Sequence, residues 1–241
     1  MPLGRDVQVL ATDANGLGAL NKPVGVLSHP NTRGEEKKSL LDARYESDGE
    51  FYHWEGTAGG VKLWLLNRLD SATSGVILVS ASETLAKAVR LHFRQKRVHK
   101  IYQALVFGCP NGTEQVWRDR LAVAKRAGKI RTATAGHIPA ECRMKVVRQA
   151  RSTTPPRTLL RLEPVTGRSH QLRVQCAKRN LPIIGDQTYG DFARNREFAK
   201  ATGEKRLFLH SLETEFDYEY LGRRHHFAAK APLPPEFTAM L

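Results

Sequence analysis

Residues 65–80 read LLNRLDSATSGVILVS, and their layout decides the fold class. An apolar run, Lys62 to Leu66, ends here. A second, Val76 to Ser80, begins, and polar and small residues fill the gap. Two short branched runs around a Ser/Thr/Gly connection predict a strand, a turn and a second strand. Asp70 falls in that connection, on rigid flanks where a reactive side chain is best positioned. Turns also favour aspartate for a plainer reason, because its carboxylate accepts backbone N–H bonds.

Further strand-like runs lie on both sides. They are Val7 to Leu10, Ile101 to Phe107, Ala140 to Val147, Thr158 to Glu163, Leu207 to Leu209 and His226 to Ala229. Two segments carry a helical period. In one, Ser80 and Glu83 stand at capping-box spacing ahead of Leu85, Ala88, Val89, His92 and Phe93, which share a face. The other runs from about Arg168 to Arg179 and is closed by Pro182. Strands outnumber helices and do not alternate with them. The expected class is α+β, a mainly antiparallel mixed β-sheet with flanking helices, in a single domain over residues 1–241. Ser47 to Gly60, Gly-rich and polar, reads as a loop or insertion.

The chain has 241 residues, 41% hydrophobic and 26% charged, an ordinary globular composition. No apolar run reaches the length of a membrane span, and the N-terminus lacks a signal-peptide layout, so no membrane partner is expected. Three widely spaced cysteines, Cys109, Cys142 and Cys176, argue against a disulfide framework or zinc knuckle and for a reducing cytoplasm. The formal net charge is +14, which favours a polyanionic partner. Ten basic residues stand between Leu91 and Arg131 and ten between Pro139 and Asn180. Glu213, Glu215, Asp217 and Glu219 alternate with other residues, which puts four acids on one face of a strand. That face is expected to be solvated and to lie away from the polyanion.

Three more segments carry chemistry. Residues 165–190, VTGRSHQLRVQCAKRNLPIIGDQTYG, crowd Arg168, His170, Gln171 and Arg173 at a helix start. Helix N-termini attract anions, so cations there need an acidic partner nearby. Residues 100–108, KIYQALVFG, put Lys100 and Tyr102 on one face of a strand. Residues 21–30, NKPVGVLSHP, mark a tight turn. Phosphate-loop, His-Glu-x-x-His and Gly-x-Ser-x-Gly patterns are absent, and His225-His226 would point to opposite strand faces.

Together and in order, these segments resemble the RluA-like family of RNA pseudouridine synthases. Lys22-Pro23 with Gly25 and His29-Pro30 resembles its first motif. Arg68-Leu69-Asp70 with Thr73-Ser74-Gly75 resembles the motif of the catalytic aspartate. Lys100-x-Tyr102-x-Ala104 resembles that of the active-site tyrosine. Thr166 to Arg173, with Gly185-Asp186, resembles the arginine motif, and Leu207-x-Leu209-His210 the late pocket strand. The chain departs from the family's habit with Asn67 and Gln175, where His is common, Asn180, where Gly is common, and Ser71-Ala72 after the aspartate. The first motif begins near residue 20, so a separate N-terminal RNA-binding domain is not expected.

The resemblance implies a pseudouridine synthase-like fold and isomerisation of uridine in a stem-loop of ribosomal or transfer RNA, with base flipping and no metal or other cofactor. Asp70 would be the nucleophile, Arg173 its charge partner and Tyr102 the ring stacked on the flipped uracil. Arg68, Lys22, Lys100, Arg168, His170, Gln171 and Leu209 would contact RNA or line the pocket. A cytoplasmic monomer is expected. The alternatives are an inactive RNA-binding or ribosome-associated protein on the same fold, and a hydrolase that frees the base.

Overall fold

A computed structural model of the chain describes residues 1–57, 59–126 and 129–241. The side chains at 123, 125, 126, 129, 130 and 135 lie outside that description. So do Gly128 and the expected basic contributions of Lys125, Arg126 and Lys129. In chain order the elements are β1 (Gln8–Thr12), β2 (Leu17–Lys22), β3 (Arg44–Glu46), β4 (Phe51–Gly56), β5 (Gly59–Leu65), β6 (Ser74–Ser80), α1 (Glu83–Arg94), β7 (His99–Phe107), β8 (Glu114–Arg126), β9 (Lys129–Ala150), β10 (Arg157–Pro164), α2 (Gln171–Lys178), α3 (Phe192–Thr202), β11 (Leu209–Tyr220), β12 (Arg223–Lys230) and α4 (Glu236–Ala239). The α+β class expected from the sequence is present. Two compact units divide the chain: residues 1–99 with 211–232, and residues 100–210 with 233–241.

In the first unit β6 is buried along its whole length. It pairs antiparallel with β2 over residues 75–80 and with β5 at residues 79–80. β3, β4 and β5 form an antiparallel meander. The polar stretch 47–60, expected as a loop, thus contributes β4 and the start of β5; cross-strand pairing overrides its weak local signal. Alternate residues of several strands meet the apolar face of α1. Leu17, Ala19, Val76, Leu78, Phe216, Tyr218 and Phe227 pack with Leu85, Ala86 and Val89. Each buried side chain of this size contributes about 1.5–3 kcal/mol.

The start of α1 corrects the sequence expectation. Its cap is Ser82, whose hydroxyl accepts the Leu85 N–H at 3.3 Å. Ser80 ends β6 instead, and its hydroxyl donates to the Ser82 carbonyl. The acids of β11 are not a bare face either. In register with β12, Asp217 meets Arg224 at 2.6 Å and His226 at 2.8 Å, Glu213 faces Lys230 at 3.8 Å, and Glu215 holds His99 at 2.8 Å.

In the second unit β7, β10, β9 and β8 pair antiparallel in that order. Leu121 and Ala140 pack with Val174 of α2. Phe198 of α3 sits between Phe107 and Phe208, and Phe237 of α4 lies against Phe208. The β8–β9 register breaks where Arg120 pairs with both Ala135 and Pro139. Proline lacks a ladder N–H, and a Cβ on Gly136 would lie 2.1 Å from the Leu121 carbonyl oxygen, so residues 135–139 form a bulge.

Candidate active site

The Asp70 loop leaves β5 and enters β6 within the first unit. Its neighbours are fixed from both sides. The Ser28 hydroxyl donates to the Leu69 carbonyl at 2.7 Å and accepts the Leu69 N–H at 3.0 Å. Ser28 is itself held by the buried Tyr52 hydroxyl, which donates to its carbonyl at 2.7 Å. On the far side the Ser71 carbonyl accepts the Gly25 N–H at 2.8 Å and Lys22 Nζ at 3.1 Å. The Thr73 N–H closes a turn on the Asp70 carbonyl at 2.9 Å. Asn67, at a position where the family commonly has His, has a structural use: its Oδ1 accepts the Leu78 N–H at 2.8 Å and ties the loop to β6. An aspartate between two locked residues is placed as a reactive group must be placed.

Lys22 is fully buried. Its ammonium donates to the Pro23, Val26 and Ser71 carbonyls at 3.0, 2.7 and 3.1 Å. In this arrangement it staples the 23–26 turn to the Asp70 loop, whereas RNA contact was its expected role. Arg68, with 61% of its side chain exposed, lies 3.7 Å from Glu50. Gly75 closes the loop at φ +111°, and a Cβ there would stand 2.1 Å from the Ser211 carbonyl oxygen. Gly75→Ala therefore combines a disfavoured backbone angle with a main-chain clash. It is expected to lower stability by about 2–5 kcal/mol, read as a fall in the urea midpoint at unchanged slope.

The second unit carries the other candidates. Tyr102 lies on β7 opposite Leu162 of β10. Lys100 precedes it, and its ammonium lies 3.9 Å from where a Cβ on Gly167 would stand, beside the arginine motif. Burial pushes the Lys100 pKa down to about 8, from 10.5. The folded chain thus releases this proton before the unfolded chain does, so stability rises with pH between about 8 and 10.5. Lys100→Met is expected to abolish that rise and to be more stable than the parent at neutral pH. Urea midpoints at pH ~7 and ~10 check both.

Arg173, on α2, is 8% exposed. Its Nε and Nη2 bond both oxygens of Asp186, at 2.8 and 2.7 Å, and its guanidinium lies 5.1 Å from the centre of the Tyr189 ring. Asp186 also accepts the Thr188 and Tyr189 N–H groups at 2.8 and 3.0 Å. Burial pushes its carboxyl up, but the Arg173 hydrogen bonds and charge and these two N–H groups outweigh that and hold it below the ordinary aspartate range.

Around this pair the start of α2 is tightly bonded. His170 adopts φ 54°, and its Nδ1 lies 2.8 Å from the Tyr189 hydroxyl. Gln171 is buried; its Oε1 accepts from Thr166 at 2.7 Å and from the Arg168 N–H at 3.1 Å, and its amide donates to Gln175 at 3.1 Å. Gln175 passes the chain on to Asp119 at 2.8 Å, which also holds Lys178 and Arg179 at 2.7 and 2.9 Å. Gln171 therefore acts on the helix itself. Leu209 is buried at the start of β11. Arg168 is exposed and lies 3.3 Å from the Pro139 carbonyl.

The first unit thus gathers Lys22, Arg68 and Asp70 at one loop. The second gathers Arg168, His170, Gln171 and Arg173 at one helix start, with Lys100 beside it. Ser28, Tyr52, Asp119 and Asp186 were not assigned roles from the sequence. Only Asp186 had a signal, its place in Gly185-Asp186. Three or more clustered His, Cys, Asp or Glu side chains able to hold a metal do not occur among the described residues. No described helix is long and apolar enough to cross a membrane.

A sequence model for the RNA pseudouridylate synthase family matches residues 17–178, a span that includes Asp70, Tyr102 and Arg173. The tRNA pseudouridine synthase C of Yersinia pestis is 32% identical over 216 residues, covering 85% of this chain and 79% of that one. That of Pasteurella multocida is 34% identical over 203 residues, covering 80% and 79%. Ribosomal large subunit pseudouridine synthase C of Escherichia coli is 35% identical over 164 residues, covering 66% of this chain and 50% of its own. The solved structure of human RNA Pseudouridylate Synthase Domain Containing 1 shares the fold, with a TM-score of 0.70 at 21% identity over 97% of this chain and 87% of that one. The motifs, the fold and the matched span agree: the chain belongs to the RNA pseudouridylate synthase family, in its RluA-like branch.

Proposed function

We propose that this chain isomerises uridine to pseudouridine in transfer RNA first and ribosomal RNA second, the two units working as one catalytic domain. The order rests on coverage. The matches named for tRNA are covered over 79% of their length, and those named for the large ribosomal subunit over about half. The glycosidic bond from N1 to the sugar breaks, the uracil turns, and a bond from C5 to the same sugar carbon replaces it. The C5 proton leaves and N1 takes one up, so mass is unchanged.

Asp70 opens this sequence, as nucleophile or as the base that removes a sugar proton. The observation that carries the assignment is the pair of clamps on residues 69 and 71, which fixes the backbone on either side of Asp70. Arg173, gripped by Asp186 through Nε and Nη2, is the charge partner assigned to Asp70 in the reaction. Tyr102 stacks on the flipped uracil. Arg68 fills the gap in the base stack or holds a phosphate, which offsets part of the few kcal/mol that flipping costs. Lys100, Arg168 and His170 face the phosphates, so affinity falls steeply with salt. The protein acts as a cytoplasmic monomer without metal.

Release of tritium from 5-tritiated uridine RNA tests this reading, with transfer RNA and ribosomal RNA assayed side by side. Release without loss of uracil mass from the product is the expected result. Tight RNA binding without release would leave a binding module, and loss of uracil would mean hydrolysis.

A further inference from the structure

Three rings stand in a row in the first unit. Tyr52 is fully buried and meets Tyr45 edge-on, with centroids 4.9 Å apart and planes at 61°. Tyr45 stacks on His29 at 4.8 Å and 10°. The row is anchored at its inner end, where the Tyr52 hydroxyl bonds the Ser28 carbonyl. It ends on His29, which is partly exposed, and among the described residues no second ring covers it.

The polar edges also point to a ligand. His29 Nδ1 lies 2.9 Å from the Pro30 carbonyl. A carbonyl only accepts, so Nδ1 carries the proton and Nε2 is left as an acceptor. Neither Nε2 nor the Tyr45 hydroxyl has a hydrogen-bond partner among the described residues. Burial, then the Glu50 charge, push the Tyr45 hydroxyl up to about 12, so it remains a neutral donor at any assay pH. Arg68 is close enough for its charge to act on Tyr45. His29 is next to Ser28, whose hydroxyl grips the residue before Asp70.

We propose that His29, backed by Tyr45, is a stacking shelf for an unpaired nucleobase of the RNA next to the target uridine. The inference rests on the RNA reading above and adds a contact that reads single-strandedness. A base laid on His29 would extend a row already held rigid, so little ordering is lost on binding. Arg68 would meet the adjoining phosphate. Base–aromatic stacking of this kind is lost roughly 5- to 150-fold in affinity when the ring is removed.

The probe is a set of oligouridine RNAs, each with one 2-aminopurine stepped along the strand, bound to the Asp70→Asn protein so that nothing turns over. Quenching of the 2-aminopurine at one position is expected. In His29→Ala the quenching should vanish and affinity fall by the factor above. His29→Phe and Tyr45→Phe, which keep the rings, should restore or retain both. The shelf is overturned if His29→Ala quenches and binds like its parent, or if a folded His29→Phe, with the parent's melting temperature, fails to restore either. If the parent binds none of the oligonucleotides in a salt-dependent way, the RNA reading falls, and that result is distinct from salt-dependent binding without quenching, which removes the shelf alone.

Discussion

Asp70→Asn is expected to fold, to bind RNA as tightly as the parent, and to release tritium at least ~10⁴-fold more slowly. The size follows from the role. An amide of the same shape neither attacks a sugar carbon nor removes a proton at neutral pH, and a group acting in the bond-breaking step cannot be replaced by its neighbours. The fold should tolerate the change because several bonds that shape the loop run through other groups. These are the Ser28 hydroxyl on Leu69, Lys22 on Ser71 and the main-chain turn from residue 70 to residue 73. Melting temperature, oligonucleotide affinity and tritium release on one preparation separate the possibilities. A variant that keeps a tenth of parental release removes Asp70 from the chemistry. One that loses affinity and melting temperature together makes it a structural aspartate.

What the sequence revealed, and what it hid, follows from the range of the interactions. β6, β7 and β10 were legible because each is a run of branched residues whose own pattern suffices. Ser80 was misread as a helix cap because two serines stand two residues apart, and only the fold shows that Ser82 meets the Leu85 N–H. β4 and the glycine start of β5 were hidden because Gly and His give them no period, and pairing with one another makes them strands. Of the long β9 only Ala140 to Val147 was legible; β8 and the first half of β9 were hidden behind polar and small residues, with a bulge at 135–139 that resets the alternation. α3 passed unnoticed because its face is mostly polar; its cap, Asp191 on the Arg194 N–H, is a local signal that could have found it.

The candidate site divides the same way. Motifs pointed to Asp70, Tyr102 and Arg173 as candidates, since a motif is local. They did not show that Gln175, standing where His is common, reaches an acid 56 residues away, or that Lys22 supports a loop with its charge buried. Supporting residues are chosen by distance in space, and one sequence does not print that distance.

Asp186→Ala tests the support where it matters most. In the parent, Asp186 answers two N–H groups of Arg173 and two of the main chain, in a place where its side chain is 1% exposed and that of Arg173 8%. Removing the carboxylate leaves a buried guanidinium without this counter-charge, and stability is expected to fall by roughly 3–5 kcal/mol. Arg173→Met strands the aspartate instead and should cost a similar amount. Pairing Arg173→Met with Asp186→Leu should recover much of either loss, because the stranded charge is gone, but should recover no turnover. That asymmetry distinguishes a guanidinium that takes part in the reaction from one that only packs. Acid supplies an independent check. The Asp186 carboxyl titrates below its ordinary value of 3.8, so the unfolded chain takes up this proton first as pH falls. The pair's contribution is complete above 3.8 and is lost as pH drops through the lower folded value, so stability climbs with pH in that window. Asp186→Asn should flatten this part of the climb and lower turnover far more than RNA affinity, since the charge of Arg173 remains while its aim is loosened. An Asn variant with the parent's acid profile and the parent's turnover would show that Asp186 neither holds Arg173 in place nor readies it for the reaction.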